Sequence, residues 1–204
     1  MDRAIKLFPY FLLLFHAIGI GLFLYFSEAP ELSYLNILLS ALLVLFSEKL
    51  NIGSLLVFGI IFLFGFVIEL IGVQTGYLFG TYVYEDAMGP LIYGTPIIIG
   101  ATWYAVVLGS CSIARSFKAN IFLQSLIAGA LAVLMDLMIE QVAINYGLWA
   151  WEGGTVPVFN YVCWFIFGSL FSFIYLRSTS NLNETARYLY WIWLGFFSLL
   201  TILI

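Results

Sequence analysis

In the stretch LMDLMIEQVAINYGLWAW, residues 134–151, two acids interrupt a long apolar run. Seventeen uncharged residues, 119–135, precede Asp136, and Glu140 follows four positions later. A run of this length predicts a membrane-spanning helix, because a span needs about 20 mainly apolar residues. Ionisable groups are costly inside a bilayer and are functional candidates there by default. The stretch therefore predicts a spanning helix in which Asp136 is a functional candidate, while Glu140 is either a second functional acid or a partly hydrated residue at the outer interface.

The composition of the whole chain agrees with a membrane protein. Of its 204 residues, 64% are hydrophobic and only 9% are charged, whereas soluble domains have about 25% charged residues. The apolar runs predict an all-α polytopic membrane protein, a single integral-membrane domain over residues 1–204 with seven transmembrane helices. We expect these helices at Leu7–Phe26, Leu32–Ser47, Leu50–Val73, Pro96–Ile113, Ala119–Asn145, Val158–Leu176 and Ala186–Ile204.

The basic residues orient this arrangement. All seven fall on one side of it: Arg3, Lys6, Lys49, Arg115, Lys118, Arg177 and Arg187. Lysine and arginine mark the cytoplasmic side, so we expect a cytoplasmic N-terminus and a multi-pass protein of the cell (cytoplasmic) membrane. Counted from the cytoplasmic end of the fifth helix at about 1.5 Å per residue, Asp136 lies ~25 Å in and Glu140 ~6 Å further. Both acids are expected toward the outer surface.

The two acids share one helix face, because they are four residues apart. Extending this face backward gives only small residues, namely Ser125, Ala128, Gly129 and Ala132. Such a stripe lets a neighbouring helix or an extended ligand approach closely. A third acid, Glu69, falls near the end of the third predicted helix, and we interpret it as an interface residue.

Two further stretches are polar and aromatic: GVQTGYLFGTYVYEDAMGP, residues 72–90, and GLWAWEGGTVPVFNY, residues 147–161. The glycines of the first are also typical of helix packing, and interface tyrosines and tryptophan belts are common in membrane proteins. Aromatic faces can also stabilise a cation. Both stretches are expected on the outer side, beside the acids.

The residue types exclude several kinds of site. The single histidine, His16, lies in the first predicted helix, where we expect a packed polar residue. Cys111 and Cys163 lie within apolar runs and are expected to be buried thiols. One histidine and two separated cysteines cannot assemble a usual zinc or haem site. The seventh predicted helix has no lysine to bind retinal, and the sequence has no nucleotide-binding motif.

A family resemblance emerges from four segments. GVQTGYLFGTYVYEDAMGP, GTPIIIGATWY, MDLMIEQVAINYGLWAW and PVFNYVCWF resemble carotenoid-biosynthesis membrane proteins of the CruF type, the carotenoid 1,2-hydratases. The resemblance covers about Gly72 to Trp164. In that family a proline often follows the second acid, whereas Gln141 follows Glu140 here.

The resemblance implies a cofactor-independent hydro-lyase. Such an enzyme adds water to the terminal double bond of an acyclic (ψ) carotenoid end group, such as that of lycopene or γ-carotene, and forms a tertiary alcohol. The implied partners are the carotenoid substrate, water, the lipid bilayer and other carotenoid-biosynthesis enzymes, with no nucleic acid. No metal and no cofactor is expected.

The chemistry agrees with the residues. Protonation of an alkene needs a strong acid, and a free aspartate, with a pKa of about 3.9, is ionised at neutral pH. Apolar burial and a neighbouring carboxylate both favour the protonated form of a carboxyl. We therefore expect Asp136 to donate the proton and Glu140 to orient or deprotonate water. The polyene is expected to lie along the small-residue stripe.

Further site residues are expected around these two catalytic acids. The substrate-binding candidates are Gln74, Thr75, Tyr77, Tyr82, Tyr84, Trp103, Trp149, Trp151 and Asn160. The secondary acid candidates are Glu69, Glu85 and Asp86. Three other functions stay open: a carotenoid-binding or scaffold protein, a carotenoid cyclase with similar protonation chemistry, and a proton-coupled transporter. The one-sided clustering of polar groups disfavours transport, since a transporter needs access from both sides.

Overall fold

The computed structural model describes residues 4–48 and 50–203. Over these residues the chain forms seven α-helices: α1 Phe8–Tyr25, α2 Ser33–Ser47, α3 Ile52–Thr75, α4 Ile99–Ala114, α5 Ile121–Asn145, α6 Val158–Ser178 and α7 Glu184–Leu203. Four short strands lie in the connections: β1 Tyr82–Tyr84, β2 Leu91–Ile92, β3 Thr95–Pro96 and β4 Trp149–Trp151. The all-helical fold is as predicted.

Six helical segments in the described part of the chain are long and apolar enough to cross a membrane, so the protein is a multi-pass membrane protein. The helix that differs is α4, which has only 16 residues, all of them buried. At 1.5 Å per residue it is about 24 Å long, shorter than a ~30 Å hydrocarbon core. It packs against α2, α3, α5, α6 and α7. The predicted span Pro96–Ile113 is thus observed as a short central helix.

The ends of the long helices follow from local side-chain chemistry. Asn120 precedes α5 and accepts a hydrogen bond from the Leu123 N–H at 2.8 Å, which caps the helix. Asn51 and Ser54 form a capping box at the start of α3. The same helix ends at Gly76, whose φ of 67° is left-handed, a conformation that glycine adopts readily.

The small-residue stripe of α5 is a helix-packing face. A Cβ on Gly129 would lie 2.9 Å from the Phe165 carbonyl oxygen and would clash with the Ser169 hydroxyl of α6. On the other side of the contact, a Cβ on Gly168 would lie 3.1 Å from Ala132. Because α6 occupies this face, the expectation that a polyene lies along the stripe is wrong. Of the two alternatives, the neighbouring helix is observed.

The two polar connections meet in an antiparallel pair, β1 with β4. Tyr82 is opposite Trp151, and Tyr84 is opposite Trp149. Side chains alternate along a strand, so these four rings share one face of the ribbon. Val83, the residue between Tyr82 and Tyr84, lies on the other face and is 54% exposed. The pairing brings the ends of α3 and α5 under one aromatic cover.

The opposite end of the bundle is tied by Asn183, just before α7. Its side chain donates to the Glu48 carboxylate at 2.6 Å and accepts from the Ser47 hydroxyl at 2.8 Å. The Tyr175 hydroxyl of α6 donates to the same Glu48 oxygen at 2.8 Å. These bonds connect α2, α6 and α7 on the side of the bundle away from the aromatic cover.

Candidate active site

A partly open cavity lies under the β1–β4 ribbon. We call it the acid cavity, because three carboxyl side chains line it: Glu69 from α3 and Asp136 and Glu140 from α5. Each is at most 3% exposed. The rest of the lining is mainly aromatic and apolar. Among the described residues, no group of His, Cys, Asp and Glu is arranged to hold a metal ion.

Asp136 has a single donor. Its Oδ2 accepts a hydrogen bond from the Asn160 amide of α6 at 2.6 Å. In the described parts of the chain its other oxygen, Oδ1, has no hydrogen-bond partner, and it is not among the fully enclosed unpaired atoms. This oxygen therefore faces the cavity, where it can contact a bound molecule.

Glu140 is held by two indoles. Trp149 and Trp151 both donate their Nε1–H to Oε2, at 2.9 and 2.8 Å. The alternation of β4 places both rings on one face, and the tight turn after α5 carries that face back over the last helical turns. As for Asp136, the second oxygen, Oε1, has no hydrogen-bond partner within residues 4–48 and 50–203, is not among the fully enclosed unpaired atoms, and belongs to a side chain that lines the cavity.

Glu69 is the most fully hydrogen-bonded of the three acids. Its Oε1 accepts from the Trp103 indole at 2.9 Å, and its Oε2 accepts from the Tyr82 and Tyr84 hydroxyls at 2.5 and 3.0 Å. Burial, with the negative charge of Glu69 as the second cause, raises the pKa of both tyrosines well above their usual range. The hydroxyls therefore stay protonated and donate. The interpretation of Glu69 as an interface residue is wrong, because it lies within α3 and is 3% exposed.

Aromatic rings surround the acids at contact distance. The ring centroids of Tyr82 and Trp151 are 4.8 Å apart, and those of Tyr84 and Trp149 are 5.8 Å apart. Trp164 lines the cavity and stacks on Trp103 with centroids 3.9 Å apart. The faces of these rings attract positive charge. The site combines proton-holding groups with surroundings suited to a cation.

The structure brings together only some of the predicted site residues. Those that line the acid cavity are Glu69, Tyr82, Tyr84, Asp136, Glu140, Trp149, Trp151 and Asn160. Trp103 does not line the cavity itself, but it contacts the site through its hydrogen bond to Glu69 and its stacking on Trp164. Five others are exposed and outside the cavity, namely Gln74, Thr75, Tyr77, Glu85 and Asp86. Gln74 bonds to the Tyr93 carbonyl at 2.7 Å and supports the loop instead.

Sequence reasoning missed the wall formed by α1, α2 and α7. Asn36, Trp193 and Phe196 line the cavity, as does His16. The Trp193 indole donates to His16 Nε2 at 2.9 Å, and His16 Nδ1 lies 2.8 Å from the Leu12 carbonyl oxygen. Since an indole only donates, Nε2 accepts and the proton is on Nδ1. The expectation of a packed polar histidine is confirmed, and its presence in a spanning helix was the one available signal for this wall.

The prediction of two buried thiols is confirmed, and neither cysteine lines the acid cavity. Both Cys111 and Cys163 are free thiols and both are buried. Cys163 accepts a hydrogen bond from the Phe79 N–H at 3.4 Å, which helps to hold the loop between α3 and β1.

The fold and the site define a multi-pass helical membrane protein with buried carboxyl groups in an aromatic cavity. The family described as "Carotenoid biosynthesis protein" matches residues 32–204, so the chain belongs to that family. The resemblance found from the sequence is confirmed. The match includes α2 and every later helix, and hence all three acids.

The chain is also similar to one individual curated protein. The chain is similar to the bisanhydrobacterioruberin hydratase of Haloarcula japonica, with 29% identity over 118 residues. The similarity covers 53% of this chain and 40% of that protein, so less than half of the relative is spanned. No solved structure matches the chain.

Proposed function

We propose that the protein is a carotenoid hydratase that adds water to the terminal double bond of an acyclic (ψ) end group, such as that of lycopene or γ-carotene. The observation that carries the proposal is the acid cavity, in which three buried carboxyls have one, two and three hydrogen-bond donors. Family membership and similarity to a hydratase support it. The reaction needs acid, water and a place for a cation, and no cofactor is proposed.

Asp136 is the proton donor in this proposal. Donors stabilise the ionised form of a carboxyl, and Asp136 has only the Asn160 amide. It therefore holds a proton more readily than Glu140 or Glu69, and its Oδ1 faces the cavity. A general acid must lie within hydrogen-bond reach of the atom it protonates, and this oxygen is available to the substrate.

The step balances with water as the only co-reactant. The Asp136 O–H bond breaks and a C–H bond forms at the less substituted alkene carbon, which leaves a tertiary cation on its neighbour. The water oxygen then bonds to the cationic carbon, and one proton of this water passes to Glu140 Oε1. Glu140 lies one helical turn from Asp136, so the proton can return through water and restore the donor.

Glu69 remains ionised in this scheme and stabilises the cation. Its two oxygens accept three hydrogen bonds, all from groups that donate, which is the environment of a carboxylate. A fixed negative charge in an apolar cavity lowers the energy of a developing positive charge. The faces of Tyr82 and Trp151 add a cation–π contribution.

The membrane arrangement belongs to the same proposal. With α4 counted as a span, seven helices put the N-terminus in the cytoplasm and the acids toward the outer half of the cytoplasmic membrane, within one integral-membrane domain. The one-sided positions of Lys and Arg support this orientation. Substrate is expected to enter from the bilayer, and water from the outer surface.

The test is product analysis with labelled water. The full chain is expressed in cells that make lycopene or γ-carotene, and the extracted pigments are analysed by mass spectrometry. We expect pigment that has gained one water per modified end, with oxygen from labelled water. Oxygen from dioxygen would indicate an oxygenase, an isomer of unchanged mass would indicate a cyclase, and unmodified pigment retained by the protein would indicate a carotenoid-binding function.

A further inference from the structure

A second cavity adjoins the acid cavity between α1 and α7. It is partly open, and we call it the α1–α7 groove. His16 and Phe196 line both cavities, and Trp193, hydrogen-bonded to His16, lines the acid cavity beside them. The two spaces are therefore adjacent, and we call the wall between them, formed by His16, Trp193 and Phe196, the junction.

The groove is apolar along most of its length and polar at the end far from the acids. Its walls include Pro9, Leu13 and Ile20 from the α1 side. Lys6 and Glu184 lie at the end where both helices begin. Since α1 and α7 both start at this end, the groove follows them from the bundle end opposite the aromatic cover up to the junction.

The acid cavity by itself is too short for the substrate class proposed above. Along α1 its lining extends from His16 to Phe23, which is about 10 Å at 1.5 Å per residue. An extended forty-carbon polyene is about as long as the ~30 Å hydrocarbon core. Most of such a chain must leave the cavity, and the groove is the apolar space on the other side of the junction. From Pro9 to Phe23 the two spaces together follow α1 for about 21 Å.

We propose that the α1–α7 groove binds the distal arm of the same linear polyene whose end group is held at the acids. This inference rests on the proposed function for its substrate, and on the wall that the two cavities share for its path. One end group reacts per binding event, while the other end extends past Lys6 and Glu184 at the far mouth. The middle of the chain passes between the side chains of the junction.

The junction is a specificity-determining element, because its residues are fixed. His16 bonds to both Leu12 and Trp193, and its ring packs edge-on against Phe196 with centroids 5.5 Å apart. Held in this way, the three side chains set the width available to the polyene. The groove beyond them sets how much chain is recognised.

Gly195 offers a direct way to block the groove. It lines the groove, and a Cβ built on it meets no atom within 4 Å, so a larger side chain extends into open space. Gly59 in α3 is the matched control: it is also helical, exposed and free of contacts within 4 Å, but it lines neither cavity. The variants Gly195→Phe and Gly59→Phe therefore add the same ring inside and outside the proposed path.

The experiment measures retention of polyenes by the purified full chain in lipid nanodiscs, by absorbance. The probes are lycopene and an acyclic polyene of about half its length with the same end group. We expect Gly195→Phe to weaken lycopene retention by about tenfold or more, as loss of fit in an apolar pocket does, and to leave the short polyene unchanged. Gly59→Phe should match wild type for both probes.

Two results would overturn the proposal. If Gly195→Phe retains lycopene as well as wild type does, the groove holds lipid chains only. If it weakens both polyenes equally, the groove does not recognise the distal arm. Gly195→Leu should give a smaller shift in the same direction and replaces the Phe variant should that variant not fold. Retention of a polyene needs no turnover, so the two proposals can fail separately. If the variants give the expected retention of lycopene but the wild-type protein adds no water, the hydratase proposal is refuted and the proposal for the groove stands.

Discussion

Replacing Asp136 by asparagine removes the proposed proton donor and little else. Asn160 donates to Asp136 Oδ2 at 2.6 Å, and an asparagine amide oxygen can accept this bond in the same place. Its NH₂ group then takes the position of Oδ1 and faces the cavity, where it cannot protonate an alkene. The substitution removes a buried acid, which is costly in a membrane helix, so the folded protein should not be destabilised.

The expected loss is that of a general acid, about 10²–10⁴-fold in the rate of hydration. The assay compares wild type and Asp136→Asn in proteoliposomes that contain lycopene, with product quantified by mass spectrometry and bound pigment by absorbance. Asp86→Asn is the matched control, because Asp86 is exposed and outside the cavity. Pigment binding should be equal in all three proteins. Full hydration by Asp136→Asn would show that the donor lies elsewhere, and equal losses in both variants would show a general effect on the protein.

Four further outcomes are expected. Glu140→Gln should lower hydration by about 10–100-fold, less than Asp136→Asn, if it only guides water; a larger loss would mean that the two roles are exchanged. Glu69→Gln leaves one of the three hydrogen-bond donors facing an NH₂ group, so the free energy of unfolding, measured by thermal unfolding, should fall by about 1–3 kcal/mol. An unchanged free energy of unfolding would contradict the observed contacts. Gly129→Val should separate α5 from α6 and reduce the yield of folded protein, measured by size-exclusion chromatography; a normal yield would contradict that packing. Reporter fusions after Lys118 should read cytoplasmic and after Glu152 external, and the reverse would overturn the orientation.

The sequence predicted the helices because a membrane imposes strong composition limits. The predicted Val158–Leu176 begins at the same residue as α6, and Ala119–Asn145 ends where α5 ends. Less was predictable for α4, where Pro96–Ile113 has the hydropathy of a span but forms a 16-residue helix enclosed by the others. Hydropathy does not separate a helix surrounded by protein from one surrounded by lipid, since both surroundings are apolar.

The site was predicted where its residues are close in sequence. Asp136, Glu140, Trp149 and Trp151 lie within sixteen residues, and helix periodicity with a short turn is sufficient to bring them together. Glu69 was misread because its partners arrive through the pairing of two distant connections, which no local pattern specifies. The wall from α1 and α7 was missed for the same reason: helix contacts in a membrane are set by side-chain packing that has no periodic signal.

The three acids differ in their number of hydrogen-bond donors, and this difference explains why all of them are tolerated in one apolar cavity. Three ionised carboxylates buried in one apolar cavity would repel one another strongly, because charges interact more strongly where the dielectric constant is low. The protein supplies hydrogen-bond donors in order: three for Glu69, two for Glu140 and one for Asp136. In the proposed mechanism, this gradient leaves the charge on Glu69 and the proton on Asp136, so that the two acids have different roles. A cation formed between them would be attracted to Glu69 and would be made by proton transfer from Asp136, which is the combination of groups that alkene hydration requires.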